Sequence, residues 1–144
     1  MKRTNRGDLY AIFEDIFTKN NRSGKSLLAD SIKNTAEDVG NQYIKTFSFS
    51  SHEIGLLFGN VQSGKTGQMF GIICKAADLG FPVFVLLTTD NVVLQQQTLE
   101  RVKSDLDGFC ICGENDGRLF MDSNLLQPTI IVLKEKCSYS QTLG

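Results

Sequence analysis

Eight consecutive residues carry the most specific chemistry in this chain: Gly59, Asn60, Val61, Gln62, Ser63, Gly64, Lys65 and Thr66. A glycine, four residues and then Gly-Lys-Thr is the spacing of a phosphate-binding P-loop. The glycines let the backbone turn tightly and present its N–H groups inward to phosphate oxygens. A helix starting at once adds the positive end of its dipole at the same point. The Lys65 amine is placed to reach the β- and γ-phosphates. The Thr66 hydroxyl suits a Mg²⁺ ion bridging those phosphates. A second stretch, Ser23-Gly24-Lys25-Ser26, ends in the same way, but its first glycine would fall at Lys19 and it follows a helical pattern. It reads as an ordinary interhelical turn.

A P-loop needs a strand before it and a helix after it, and the pattern offers both. Ile54-Gly55-Leu56-Leu57-Phe58 is a short apolar run ending at a glycine, which predicts a buried strand. A helix is expected from Lys65 to about Leu79, ended by Gly80. Pro82 to Leu87 predicts a second apolar strand, with Thr88, Thr89 and Asp90 at its end. A helix from about Asn91 to Leu106 follows, with Val92, Leu99, Val102 and Leu106 facing inward. Phe109 to Cys112 predicts a short strand and Thr129 to Leu133 a stronger one. Apolar strands alternating with helices make this an α/β chain with a parallel sheet covered on both faces. Ligands of such sheets sit beyond the carboxyl ends of the strands. Gly59, Thr88 to Asp90 and Lys134 fall at those ends, so one edge of the sheet is expected to hold the whole site.

The first fifty residues have a different character. Leu9, Ile12, Phe13, Ile16 and Phe17 recur at helical spacing, with Asp8 able to cap the start. Residues 20–24 break the pattern. A second helix is expected from about Ser26 to Val39, with Leu28, Ile32 and Val39 on one side and Gly40 closing it. The domain division is therefore a helical segment over 1–50 and a partial nucleotide-binding domain over 51–144.

Composition narrows the class. With 144 residues, 41% apolar and 22% charged, the chain has the balance of one globular domain. No apolar run approaches the roughly 18 residues of a membrane span, and the basic start lacks an apolar signal core. The cytoplasm is the expected compartment. Cys74, Cys110, Cys112 and Cys137 then read as free, mainly buried thiols. The one-residue gap between Cys110 and Cys112 is not that of a zinc site, and His52 is the one histidine. Residues 1–50 carry 8 basic and 6 acidic side chains, and residues 51–144 carry 7 and 10. No basic stripe marks a nucleic-acid face, so composition neither demands nor excludes such a partner.

An ATPase also needs an acid at a strand end to hold Mg²⁺ through water and to orient the attacking water. Asp90, Asp122 and Glu135 are the candidates, and each reads at least as well as a cap or a surface charge. None forms the adjacent acid pair of a hydrolytic motor.

Taken together, Val61-Gln62-Ser63-Gly64-Lys65-Thr66, Leu86-Leu87-Thr88-Thr89-Asp90-Asn91 and Leu94-Gln95-Gln96-Gln97-Thr98-Leu99-Glu100-Arg101 resemble the superfamily-two helicase-like ATPases. Within these the chain looks most like the Z-one-domain proteins, which are associated with restriction-type DNA systems. The resemblance covers roughly residues 53–134, and the P-loop variant is its most specific part. It implies a RecA-like P-loop fold, ATP and Mg²⁺ at Gly59 to Thr66, and a nucleic-acid partner, DNA above all. Thr88, Thr89 and Lys134 would then contact the nucleic-acid backbone, for which a hydroxyl and free N–H groups are suited. A helix N-cap at Thr89 or Asp90 explains the two threonine-turn residues equally well. Gln97 and Arg101, four apart on a helix, read first as solvated positions. The family's acid pair and second RecA-like domain have no counterpart in these residues. The expectation is thus an N-terminal lobe that binds nucleotide and hydrolyses it poorly alone. Two other classes remain open: a small thymidine-kinase-like phosphotransferase, and a nucleotide sensor without catalysis. The first would need a zinc-held lid that Cys110-x-Cys112 matches poorly.

Overall fold

The computed structural model describes residues 7–20, 26–59, 64–88, 91–113 and 127–134. Two compact units divide between Phe81 and Pro82. Packing therefore groups the first two helices with the helix that starts at Lys65, whereas the change in sequence character comes at 50/51.

The first unit is built on three helices: α1 over Leu9–Asn20, α2 over Ser26–Val39 and α3 over Lys65–Asp78. The apolar stripe of α1 is buried at Leu9, Phe13 and Phe17, and α2 buries Ala29, Ile32 and Ala36. Both helices pack on α3, which contributes Phe70, Ile73, Cys74, Ala76 and Ala77 to the same core. The rings of Tyr10 and Phe13 meet edge to face at 6.0 Å. Helix α3 ends as expected at Gly80, where φ is 103°. Phe81 N donates to Ala76 O and Gly80 N to Ala77 O, so two end carbonyls are satisfied around the left-handed glycine.

Three expectations are corrected in this unit. Gly40 does not close α2, because the chain continues into a π-helical turn over Gly40–Ile44, with Gly40 buried against the Lys75 stem. The start of α1 is capped from a distance rather than by a neighbouring side chain. Asp78 Oδ1 accepts from Leu9 N at 2.9 Å and Oδ2 from Tyr10 N at 3.1 Å. Residues 54–58 form no strand. Ile54, Leu56 and Phe58 are 98%, 86% and 90% exposed. Apolar side chains make a segment compatible with a sheet, but a strand exists only where its backbone groups find a partner.

The second unit is a three-stranded parallel sheet with one helix. β1 covers Val83–Thr88, α4 Val92–Asp105, β2 Cys110–Cys112 and β3 Thr129–Lys134. The strand order is β1-β3-β2, with both pairings parallel. The chain is thus mixed α/β, as the alternating pattern predicts. α4 packs on β3 and β1, and Val102, Leu106, Ile130 and Val132 are buried. Of the inward positions expected on α4, Leu99 is half-buried, while Val92 is exposed. The helix is capped by Asn91, whose side chain accepts from Val93 N and Leu94 N, and not by Thr89 or Asp90. Covering of both faces is not complete either. On β1 the side chains of Val83, Val85 and Leu87 are 47%, 53% and 76% exposed.

Of the described cysteines, Cys74 and Cys110 are free thiols, and Cys74 and Cys112 are buried. No helix among the described residues is long and apolar enough to cross a membrane.

Two stability measurements check this description. Phe58→Ser should change the urea unfolding free energy by no more than about 0.5 kcal/mol, whereas Phe13→Ala should cost about 3–5 kcal/mol. A cost at Phe58 comparable with that at Phe13 would mean that the 54–58 run is packed. Asp78 is the second case. Burial raises its carboxyl pKa above the ordinary value, an effect that the bonds from Tyr10 N and Leu9 N and the nearby Lys75 oppose without reversing. The folded chain then holds this proton more tightly than the unfolded chain. The group's contribution to stability falls as pH rises from the unfolded pKa through the folded one, and is level above it. Asp78→Ala should remove that slope from urea midpoints taken upward from about pH 4. Loss of the cap should also lower stability near neutral pH by about 1 kcal/mol.

Candidate phosphate-binding site

The start of α3 has the features that an anion needs. Gly64 takes the position before the helix with φ 73° and ψ 32°, a left-handed conformation in which a Cβ is strained. No side chain among the described residues caps this end. The first intrahelical bond runs from Gln68 N to Gly64 O at 3.0 Å. The N–H groups of Lys65, Thr66 and Gly67 therefore precede the helical ladder, with the dipole behind them.

Lys65 is exposed, and its ammonium group donates to Gly59 O at 2.7 Å. One side chain thus joins the two ends of the eight-residue motif. A charge-assisted bond to a neutral carbonyl is one that a phosphate oxygen can replace with a stronger partner. Thr66 is half-buried in the first turn, beside Gly67 and Gln68, which are buried. Asn60, Val61, Gln62 and Ser63 lie outside the described residues. Gly59, Gly64, Lys65 and Thr66 are the motif positions the structure places.

In the second unit, Thr88 and Lys134 are register partners at the carboxyl ends of β1 and β3. Thr88 Oγ1 donates to Leu133 O at 3.1 Å, which ties the two strand ends together. Thr89, Asp90, Asp122, Glu135 and Cys137 lie outside the described residues, as does the Ser23-Gly24-Lys25 turn. Gln97 and Arg101 are exposed on α4, and Arg101 lies 3.9 Å from the Asp105 carboxylate. Gly59 belongs to the first unit and follows a segment that forms no strand, so the strand expected before the motif is not observed.

Sequence reasoning missed the residues that support α3. A Cβ on Gly64 would lie 2.8 Å from Leu28 Cδ1, one on Gly67 3.0 Å from Ile32 Cδ1, and one on Gly71 2.8 Å from Ile32 Cγ2. Gln68 Nε2 donates to Ser31 Oγ at 3.0 Å. The signal was present: two glycines four apart inside a helix cost about 1 kcal/mol each relative to alanine, so they mark a close approach. The displaced pKa values belong to this packing. Burial raises the Tyr10 hydroxyl and the Cys74 thiol, with Glu14 adding to the first and Asp78 to the second.

Compared with known proteins, the chain matches no family model, no curated protein and no solved structure. The case for a site rests on the residues and their geometry.

Gly64→Ala meets both a left-handed backbone and the Leu28 methyl. It should lower the unfolding free energy by about 1–2 kcal/mol in urea titrations. Gly55→Ala is the control, because a Cβ there meets nothing within 4 Å.

Proposed function

We propose that this chain is the nucleotide-binding lobe of a P-loop ATPase of RecA-like type that works on nucleic acid as a helicase or translocase. The observation that carries the reading is the Lys65 ammonium lying across the loop on Gly59 O. It stands at the head of a helix with no side-chain cap, whose N-cap is a left-handed glycine. An exposed cation, N–H groups that precede the helical ladder and a helix dipole converge where a phosphate would be held.

The roles follow residue by residue. Gly59 to Gly64 provide the backbone turn, and Lys65 exchanges its carbonyl partner for phosphate oxygens. The Thr66 hydroxyl is the ligand for Mg²⁺, whose chemistry when bound is to neutralise charge shared by the β- and γ-phosphates. The fit to ATP and Mg²⁺ is in the donor set: an amine, a hydroxyl and backbone N–H groups, all at one helix end. Thr88, Thr89 and Lys134, at or just after the ends of parallel strands, are the proposed contacts to nucleic-acid phosphates, DNA first among them. This part of the reading follows from the resemblance to helicase-like ATPases, and a cytoplasmic setting agrees with it.

Calorimetric titration with MgATP tests the proposal, with Lys65→Ala beside the wild type and phosphate release assayed on the same samples. Wild-type binding should weaken at least tenfold in Lys65→Ala, a loss of about 1.4 kcal/mol or more, and turnover should be negligible. Equal binding by both proteins would remove the P-loop reading. Rapid Lys65-dependent turnover by this chain alone would favour a self-sufficient enzyme such as a phosphotransferase.

A further inference from the structure

Helix α2 presses on the first two turns of α3, the same turns that carry Lys65 and Thr66. Leu28, Ile32 and Ala36 follow one another at intervals of four on α2, so they form a single ridge. That ridge lies against Gly64, Gly67 and Gly71 at the distances of a groove with no room for a Cβ. A Cβ on Gly67 would also lie 3.4 Å from the Phe17 ring, and one on Gly71 3.5 Å from the Tyr10 ring. Beside the ridge, the hydrogen bond from Gln68 to Ser31 crosses between the helices. Gln68 is 8% exposed, and its Oε1 has no partner among the described residues. The join between α2 and the P-loop helix is therefore both apolar and polar, and it reaches the glycine that closes the loop.

A glycine has little reason of its own to stay at φ 73°, because it populates many other conformations as readily. Here Leu28 occupies the space beside its Cα. Withdrawal of α2 would release Gly64 and with it the direction of the first-turn N–H groups. We propose that α2 is a positioning element for the phosphate site, with its seating on α3 and occupancy of the loop thermodynamically coupled. This rests on the P-loop reading above. Coupling of this kind is reciprocal: if a seated α2 favours the bound anion, the bound anion favours a seated α2 by the same factor. The α1–α2 hairpin then does more than fill a core, because anything that moves α2 changes nucleotide affinity.

Hydrogen exchange on the full chain, with and without MgATP, reads this directly. Amides of α2 should exchange about fivefold or more slowly when nucleotide is bound, those of α4 much less so, and Lys65→Ala should show neither effect. In calorimetry Leu28→Ala should weaken MgATP binding by about tenfold, while Leu28→Met, which keeps the volume, stays within twofold of the wild type. Far-ultraviolet circular dichroism establishes that each variant is folded, and the wild-type exchange experiment stands even if Leu28→Ala is not. Lys65-dependent binding without added protection of α2 would overturn the coupling and leave the P-loop reading intact. So would folded Leu28→Ala with wild-type affinity. Wild-type protein that binds no MgATP would overturn both.

Discussion

Close approach of α2 to α3 is the constraint on which the first unit depends. Three glycines spaced along one side of α3 remove the side chains that would hold α2 away. Leu28, Ile32 and Ala36 fill the groove that results, and dispersion contacts at this range are individually small but numerous. Glycine inside a helix is unfavourable by propensity, so the packing must return more than the helix loses. The same close approach fixes where the α1–α2 hairpin can sit, and among the described residues no side chain caps the first turn of α3. An uncapped helix end with a left-handed glycine before it is a poor way to end a helix for stability alone. It is a good way to receive an anion.

The polar groups around this core divide into two kinds. Asp78 closes the N-terminal end of α1 from the far end of α3, which ties these two helices together. Its charged form is held there against the cost of burial, since the two N–H bonds offset desolvation only in part. Lys65 has the opposite character. It is exposed, and its bond to Gly59 O is one that can be exchanged. A structural carboxylate and an exposed ammonium thus occupy opposite ends of α3, each at the end whose partial charge has its own sign, so the dipole of α3 favours neither; Asp78 is favoured instead by the N-terminal end of α1.

The second unit follows from parallel pairing in register. Thr88 and Lys134 end together because β1 and β3 start together at Val83 and Thr129. Phe84 meets Phe109 edge to face at 6.3 Å on the covered side, where Ile130 and Val132 are also buried. The alternate positions of β1 remain open. An apolar strand with one exposed side is a surface on which further chain, of this protein or another, can be covered with gain.

Much of this architecture could be read before any coordinates. α3 starts at Lys65 because Gly64 can be left-handed and no proline or β-branched run follows. It stops near Gly80 because that glycine can turn back to cap it. β1, α4, β2 and β3 fall where continuous apolar runs alternate with amphipathic ones, since side-chain periodicity is a local property of the chain. Lys65 and Thr66 could be named as candidates for the same reason: the spacing of their motif lies within one loop and one helical turn. Capping and pairing were not legible in this way. Asn91 rather than Asp90 caps α4, and Asp78 caps α1 across a separation of 69 residues in sequence. The 54–58 run, as apolar as any strand here, has no ladder. Sequence by itself determined which segments can be helix or strand, because this depends on neighbours a few positions away. Only the tertiary structure decided which glycines admit another helix, which acid caps which end and which apolar run is paired. Those outcomes depend on partners distant in the chain, whose approach is set by the packing of the whole unit.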